Sequence, residues 1–207
     1  MDLSRPYSAV VPSLDGDVLA ALAGTSQPLS GREVARRARR GSQRGVLTVL
    51  DRLVEQGLVR RQEAGGALLF TLNRDHVAAG AVAALAELRV ELLRRIRDEI
   101  GGWAIAPRFA AVFGSFARAD GGTESDIDLL VVRSRATRAG EPGWQAQLDG
   151  LSESIARWSG NHAGLVELSE QELPRLRKQR PPVVAELLRD AVVVHGPPVT
   201  AILGEEA

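Results

Sequence analysis

Asp126 and Asp128 stand two residues apart at the head of an apolar run, 127–132. In an extended strand alternate side chains point the same way, so both carboxylates face one side. Two carboxylates a few ångströms apart repel. They are stable together only with a cation between them or with one of them protonated. Hard oxygen ligands of this kind suit Mg²⁺, which is usually held by one or two carboxylates plus substrate phosphates. Upstream, Gly114-Ser115 closes another apolar run, 109–113. Its backbone N–H groups and hydroxyl suit phosphate oxygens, the more so if a helix starts there. The plainer alternative is a solvated Asp-rich turn. A Gly-Ser pair, two acids set to share one face and two flanking apolar runs coincide here, which is more than such a turn requires.

Gly114-Ser115, a spacer, then Ser125-Asp126-Ile127-Asp128 with apolar residues after it resembles the signature of the DNA polymerase β-like nucleotidyltransferases, above all their small minimal members. The resemblance implies an Mg²⁺- or Mn²⁺-dependent transfer of a nucleoside monophosphate from an NTP to a hydroxyl. Asp126 and Asp128 would bind the metal. Gly114 and Ser115 would bind phosphates, with Arg118 one turn further on and Ser125 shaping the turn. The family normally adds a third carboxylate from a later strand. In this chain that strand is 163–168, and its only acid is Glu167. The minimal members commonly carry the acid two or three residues earlier, where this chain has Gly164. An odd shift reverses the strand face, so either Glu167 is the third catalytic acid or the site lacks one. Acceptors in the family include proteins, RNA ends and small molecules, and many minimal members act in toxin–antitoxin pairs.

The elements that must position these residues read as an α+β chain. Around the motif, strands 109–113, 127–132, 164–168 and 191–195 alternate with helices 144–158, 170–178 and 182–189. This is the pattern of a small mixed α/β sheet. Residues 134–143 read as a polar loop.

The N-terminal part has a different rhythm. Residues 1–12 read as a loose arm. Asp15 is placed to cap a helix over 16–23. Ser30 and Glu33 match a capping box for a helix over 31–40, and Ser42 opens a third helix to about residue 56. Strands 58–61 and 67–72 follow around a turn at 63–66. Three helices and a hairpin resemble the winged helix-turn-helix domain of small bacterial repressors. That resemblance implies a DNA partner, with Ser42, Gln43, Arg44 and Thr48 at the start of the recognition helix. Arg36, Arg37, Arg39 and Arg40 add charge for phosphates. A solvated Arg-rich face on a protein-binding module is the alternative.

Asp75 is placed to cap one long helix from 76 to about 100. Its Ala-rich start would also serve as a homodimer seam. The expected organisation is a DNA-binding domain over 1–75, a connecting helix over 76–101 and a nucleotidyltransferase domain over 102–207. The 207 residues carry 26 Lys+Arg, 26 Asp+Glu and no Cys. Zero formal charge gives no global polyanion-binding signal, and without Cys there are no disulfides, thiolate metal sites or Cys nucleophiles. No apolar segment has the length of a membrane span, so a cytoplasmic location is expected. A DNA-binding regulator with a degenerate, nucleotide-sensing transferase domain is the alternative to an enzyme.

Overall fold

The computed structural model describes residues 1–204. The chain forms two compact units, one over residues 5–89 and one from Val90 onward that also takes in Met1–Ser4.

The first unit begins with a 3₁₀ turn, Pro6–Ala9, and continues through helix α1 (Leu14–Ala23), strand β1 (Leu29–Ser30), helices α2 (Gly31–Ala38) and α3 (Gln43–Glu55), strands β2 (Val59–Ala64) and β3 (Ala67–Leu72), and helix α4 (Ala79–Ala86). The three strands form an antiparallel sheet in the order β1-β3-β2. Ala64 pairs with Ala67, which leaves Gly65-Gly66 as a two-residue loop with both φ angles positive, the backbone of a tight hairpin. Val18, Leu22, Val34, Val46, Leu50 and Phe70 meet in its core.

The capping box on α2 is present: Ser30 N donates to Glu33 Oε2 at 2.8 Å, and Glu33 N donates to Ser30 Oγ at 3.3 Å. Helix α2 ends at Ala38 rather than residue 40, because Arg39 turns left-handed at φ 55°. Helix α1 starts at Leu14, and Asp15 sits inside it, accepting from Ser13 Oγ instead of capping. The expected loose arm is anchored. Arg5 grips the buried Asp17 in two bonds of 2.7 and 2.8 Å, and Tyr7 Oη donates to the same carboxylate at 2.8 Å.

The expected single helix over 76–101 is two helices, α4 and α5 (Leu88–Gly101). Glu87, at φ −97° and ψ 5°, leaves the helical region between them. Asp75 pairs with Arg60 rather than capping a helix.

The second unit continues from α5 into β4 (Phe109–Phe113), α6 (Gly114–Arg118), β5 (Ile127–Arg133), α7 (Pro142–Ser159), β6 (Ala163–Ser169), α8 (Leu173–Gln179), α9 (Pro182–Asp190), β7 (Val192–His195) and α10 (Val199–Leu203). Its sheet runs β6-β5-β4-β7, with β5 and β6 parallel and the other pairs antiparallel.

Strand β5 is buried on both sides, and its alternation sorts the core into two layers. Ile127, Leu129 and Val131 pack with Ile96, Trp144 and Leu151 of α5 and α7. Leu130 and Val132 pack on the other side with Leu173, Val184 and Leu187 of α8 and α9. Asp128 shares the parity of Leu130 and Val132, and therefore the α8–α9 face.

Candidate active site

Residues 113–128 form a strand–turn–strand in which the chain doubles back beside itself. Phe113 and Asp128 are register partners across β4 and β5. Gly114 sits at φ +69°, in the left-handed region that suits glycine. Helix α6 starts at that residue. It is five residues long, so its end dipole is small and the N–H groups of the turn matter more than the helix.

The Asp128 carboxylate is held between two bare backbones. A Cβ on Gly114 would lie 2.5 Å from Asp128 Oδ2, and a Cβ on Gly164 would lie 2.6 Å from Oδ1. A side chain at either position would crowd the carboxylate where it now sits. Asp128 is half-buried, and its carboxyl is pushed above the ordinary Asp value. Burial is the largest cause. The charges of Asp126 and then Glu186 add to it, and Arg118 opposes it. Asp126 is exposed and stands just before the strand. The two sequence-identified acids thus come together with Gly114 and Ser115.

Ser115 Oγ lies under the tip of the intervening loop, where a Cβ on Gly121 would stand 2.8 Å from it. Ser125 Oγ accepts the N–H of Gly122 at 3.0 Å and closes that loop. Arg118 is engaged by two carboxylates, Asp120 at 2.9 Å and Asp190 at 3.5 Å. Its guanidinium therefore ties α6 to α9.

Glu167 is not in the cluster. In the parallel β5–β6 register Gly164 pairs with Asp128, and Glu167 pairs with Val131. Three residues along a strand reverse the face. Glu167 thus emerges on the α7 side, where Oε1 accepts from Arg133 Nε at 2.8 Å and from Trp144 Nε1 at 2.9 Å. The role of third catalytic acid expected for Glu167 does not fit this placement. No acid of β6 lies on the Asp128 face.

Two contributors escaped the sequence. Glu186, on α9, bears on Asp128 from a helix and not from a strand. Its only sequence trace is an acid between apolar residues of a short helix, which is the ordinary look of a solvated face. Asn161 is 3% exposed. Its Nδ2 sits among three carbonyls, Met1 O at 3.1 Å, Thr123 O at 3.2 Å and Ser125 O at 3.0 Å. Ser4 N donates to Gly121 O at 2.7 Å, and Leu3 is fully buried in the α5–α7 core layer. The start of the chain therefore backs the loop that carries Asp126. No spacing rule announces such a contact between residues so far apart in sequence.

In the first unit, Ser42, Gln43, Arg44 and Thr48 are all exposed on the first turns of α3. Ser42 Oγ caps the helix by accepting from Gly45 N at 3.1 Å, and Thr48 Oγ1 donates to Arg44 O at 3.1 Å. Arg36, Arg37, Arg39 and Arg40 are exposed as well. Nearby on α2, Arg32, Glu33 and Arg36 line an open hollow.

The nucleotidyltransferase domain family matches residues 90–181. The C-terminal part of the chain thus carries a nucleotidyltransferase domain, and the Gly-Ser and Asp-x-Asp residues lie inside it. No curated protein matches the chain. Among solved structures, a candidate nucleotidyltransferase from Sulfolobus solfataricus is 22% identical, over 52% of this chain and 82% of that one, at a TM-score of 0.30. Human N-acetylserotonin methyltransferase is 18% identical over 48% of this chain, at a TM-score of 0.29. This chain spans 30% of the methyltransferase's length. Overlaps this slight carry no argument about function. Among the described residues, no helix is long and apolar enough to cross a membrane.

Proposed function

We propose that the chain is a nucleotidyltransferase that moves a nucleoside monophosphate from an NTP to an acceptor hydroxyl, and that its N-terminal unit binds DNA. The observation that carries the first half is the Asp128 carboxylate wedged between Gly114 and Gly164. It is crowded by Asp126, and its charged form is disfavoured as it stands. Like charges held this way call for a cation. Among the described residues, no group of three or more His, Asp or Glu side chains could hold a metal alone. A cation bound by Asp126 and Asp128 would therefore complete its shell from the triphosphate, as Mg²⁺ commonly does. When bound, Mg²⁺ or Mn²⁺ supplies charge neutralisation on the phosphates.

The chain's own residues do the positioning. Gly114 offers its N–H, and Ser115 its hydroxyl, to the phosphate oxygens. Ser125 keeps the loop closed, so that Asp126 and Asp128 arrive together. Arg118 ties α6 to α9 through Asp120 and Asp190, and its charge reaches Asp128, beside the place for the phosphates.

The DNA-binding half rests on element order and exposure. Helices α1 to α3 followed by the β2–β3 hairpin follow the order of a winged helix-turn-helix. The start of α3 is exposed, with Arg-rich surface on α2 nearby. Residues at the N-terminal end of a recognition helix are the ones that reach base edges.

A second reading is favoured by one observation. Strand β6 offers Gly164, not an acid, to the catalytic face. A site with two carboxylates could hold metal and nucleotide while transferring nothing, which would make the chain a nucleotide-sensing regulator. Label transfer separates the two. The protein is incubated with Mg²⁺ and each NTP labelled on its α-phosphate, alone and with host lysate, beside Asp128→Asn. A labelled protein or RNA that disappears in the variant supports the enzyme. Mg²⁺-dependent nucleotide binding without any transfer supports the sensor.

A further inference from the structure

With Glu167 turned to the far side of the sheet and Gly164 in the near position, activation of the acceptor hydroxyl needs a carboxylate from outside β6. We propose that Glu186 of helix α9 is that carboxylate, acting as general base on the acceptor; the inference rests on the transferase reading above.

Three placements bring Glu186 to the site. Val184 and Leu187 of α9 are buried against the layer that holds Phe113 and Leu130, on the Asp128 face of the sheet. Phe113 is the register partner of Asp128, so α9 covers the end of the sheet where the reaction would occur. Asp190 lies 3.5 Å from Arg118, the last residue of α6. Residues four apart on a helix share a face, so Glu186 lies one turn from that anchor and on the same side. The charge of Glu186 also reaches Asp128 and helps to hold its carboxyl above the ordinary value.

Availability sets it apart from the two acids that Arg118 engages. Asp120 and Asp190 are both engaged by Arg118, and Asp190 also by Arg189 at 2.8 Å. Among the described residues, Glu186 is in no hydrogen bond or ion pair, and it is half-buried at the site's edge. It also stands beyond the range matched by the nucleotidyltransferase family, which ends at residue 181. A base recruited from α9 would replace the strand acid that β6 lacks.

The step balances without any further reagent. The acceptor O–H proton passes to the Glu186 carboxylate, and the acceptor oxygen forms a bond to the α-phosphorus. The α-phosphorus–oxygen bond to the β-phosphate breaks, and pyrophosphate leaves with that electron pair.

The test compares the parent with Glu186→Gln, Glu186→Asp, Glu167→Gln and Asp128→Asn. Label transfer gives the rate, and equilibrium dialysis of each labelled NTP with Mg²⁺ gives nucleotide affinity. The glutamine variant keeps helix propensity on a half-exposed surface. Expected for Glu186→Gln is a kcat lowered about 100-fold or more, with nucleotide affinity within about twofold of the parent, because a general base acts on the proton and not on the triphosphate. Glu186→Asp should recover part of the rate, and Glu167→Gln should keep it. Asp128→Asn should lose rate and nucleotide affinity together. Parental kcat in Glu186→Gln, or loss of nucleotide affinity in place of kcat, overturns the assignment while the transferase reading stands. A parent that binds nucleotide and never transfers overturns both.

Discussion

Gly164 faces Asp128 across the β5–β6 ladder, and a single methyl on it would stand 2.6 Å from the Asp128 Oδ1. The other oxygen lies close against Gly114, where an added Cβ would stand 2.5 Å from Oδ2, so the carboxylate has little room to turn toward that side. Gly164→Ala should therefore displace Asp128 with little harm to the fold. A misplaced ligand of this kind lowers transfer about 100-fold. The check is label transfer beside circular dichroism, and a fully active Gly164→Ala would disprove the confinement. Gly164→Asp should be no better, although it restores an acid to the strand position, since the new side chain enters the same filled space.

Crowding also sets the pH behaviour of Asp128. Its folded-state pKa is raised, by burial first and then by the charges of Asp126 and Glu186. Ionising it therefore opposes folding. The penalty is absent below the ordinary Asp range of about 3.9, and it grows as pH rises through the elevated value. Asp128→Asn removes the charge and so removes the penalty. In metal-free buffer the variant should melt above the parent at neutral pH, and the gap should close in acid. Adding Mg²⁺ should raise the parent's melting temperature and leave the variant's unchanged. A variant that melts below the parent at neutral pH would contradict the like-charge account.

Much of this site is legible in the sequence because strand alternation is a local rule. Asp126 and Asp128 follow from spacing alone, and Gly114-Ser115 from the end of an apolar run. The capping box on α2 and the Gly65-Gly66 hairpin are equally local. Glu167 misleads because a lone acid in a strand shows no face until the register is known. Parallel pairing of Asp128 with Gly164 is what turns Glu167 toward Trp144 and Arg133. Glu186 and Asn161 act through tertiary contacts that no periodicity encodes. The helix expected over 76–101 breaks at Glu87, where neither proline nor glycine marks a stop. The apolar pattern on its two sides reads as continuous.

Arg44 tests the other unit. It is exposed near the start of α3, and among the described residues it is in no ion pair. If it reaches a base edge, Arg44→Ala should weaken specific DNA binding by about 1–3 kcal/mol and relax preference at one position. If it contacts only phosphate, binding should fall evenly across sequences, with a shallower salt dependence. Selection from a random duplex pool, followed by titration at two salt concentrations, separates the two. Transfer activity should be unaltered in either case. DNA binding indifferent to Arg44→Ala would remove α3 from the interface.

Asn161 makes the last prediction, because the loop carrying Asp126 leans on it. Its Nδ2 donates toward the carbonyls of Thr123 and Ser125 in that loop, and toward Met1 O from the start of the chain, while Oδ1 accepts from the Met1 amine at 2.9 Å. Truncation to alanine takes the donor from those part-buried carbonyls, a loss of about 1 kcal/mol. Denaturant titration of Asn161→Ala should read that loss. Asn161→Asp is the sharper probe. It keeps the acceptor for the amine but turns a carboxylate toward three carbonyl oxygens, so it should destabilise at least as much as alanine. The slackened loop no longer holds Asp126 beside Asp128, so nucleotide affinity with Mg²⁺ should fall in both variants. If Asn161→Asp is as stable as the parent, donation from the amide is not what holds the loop, and the buried Leu3 side chain is left as its support.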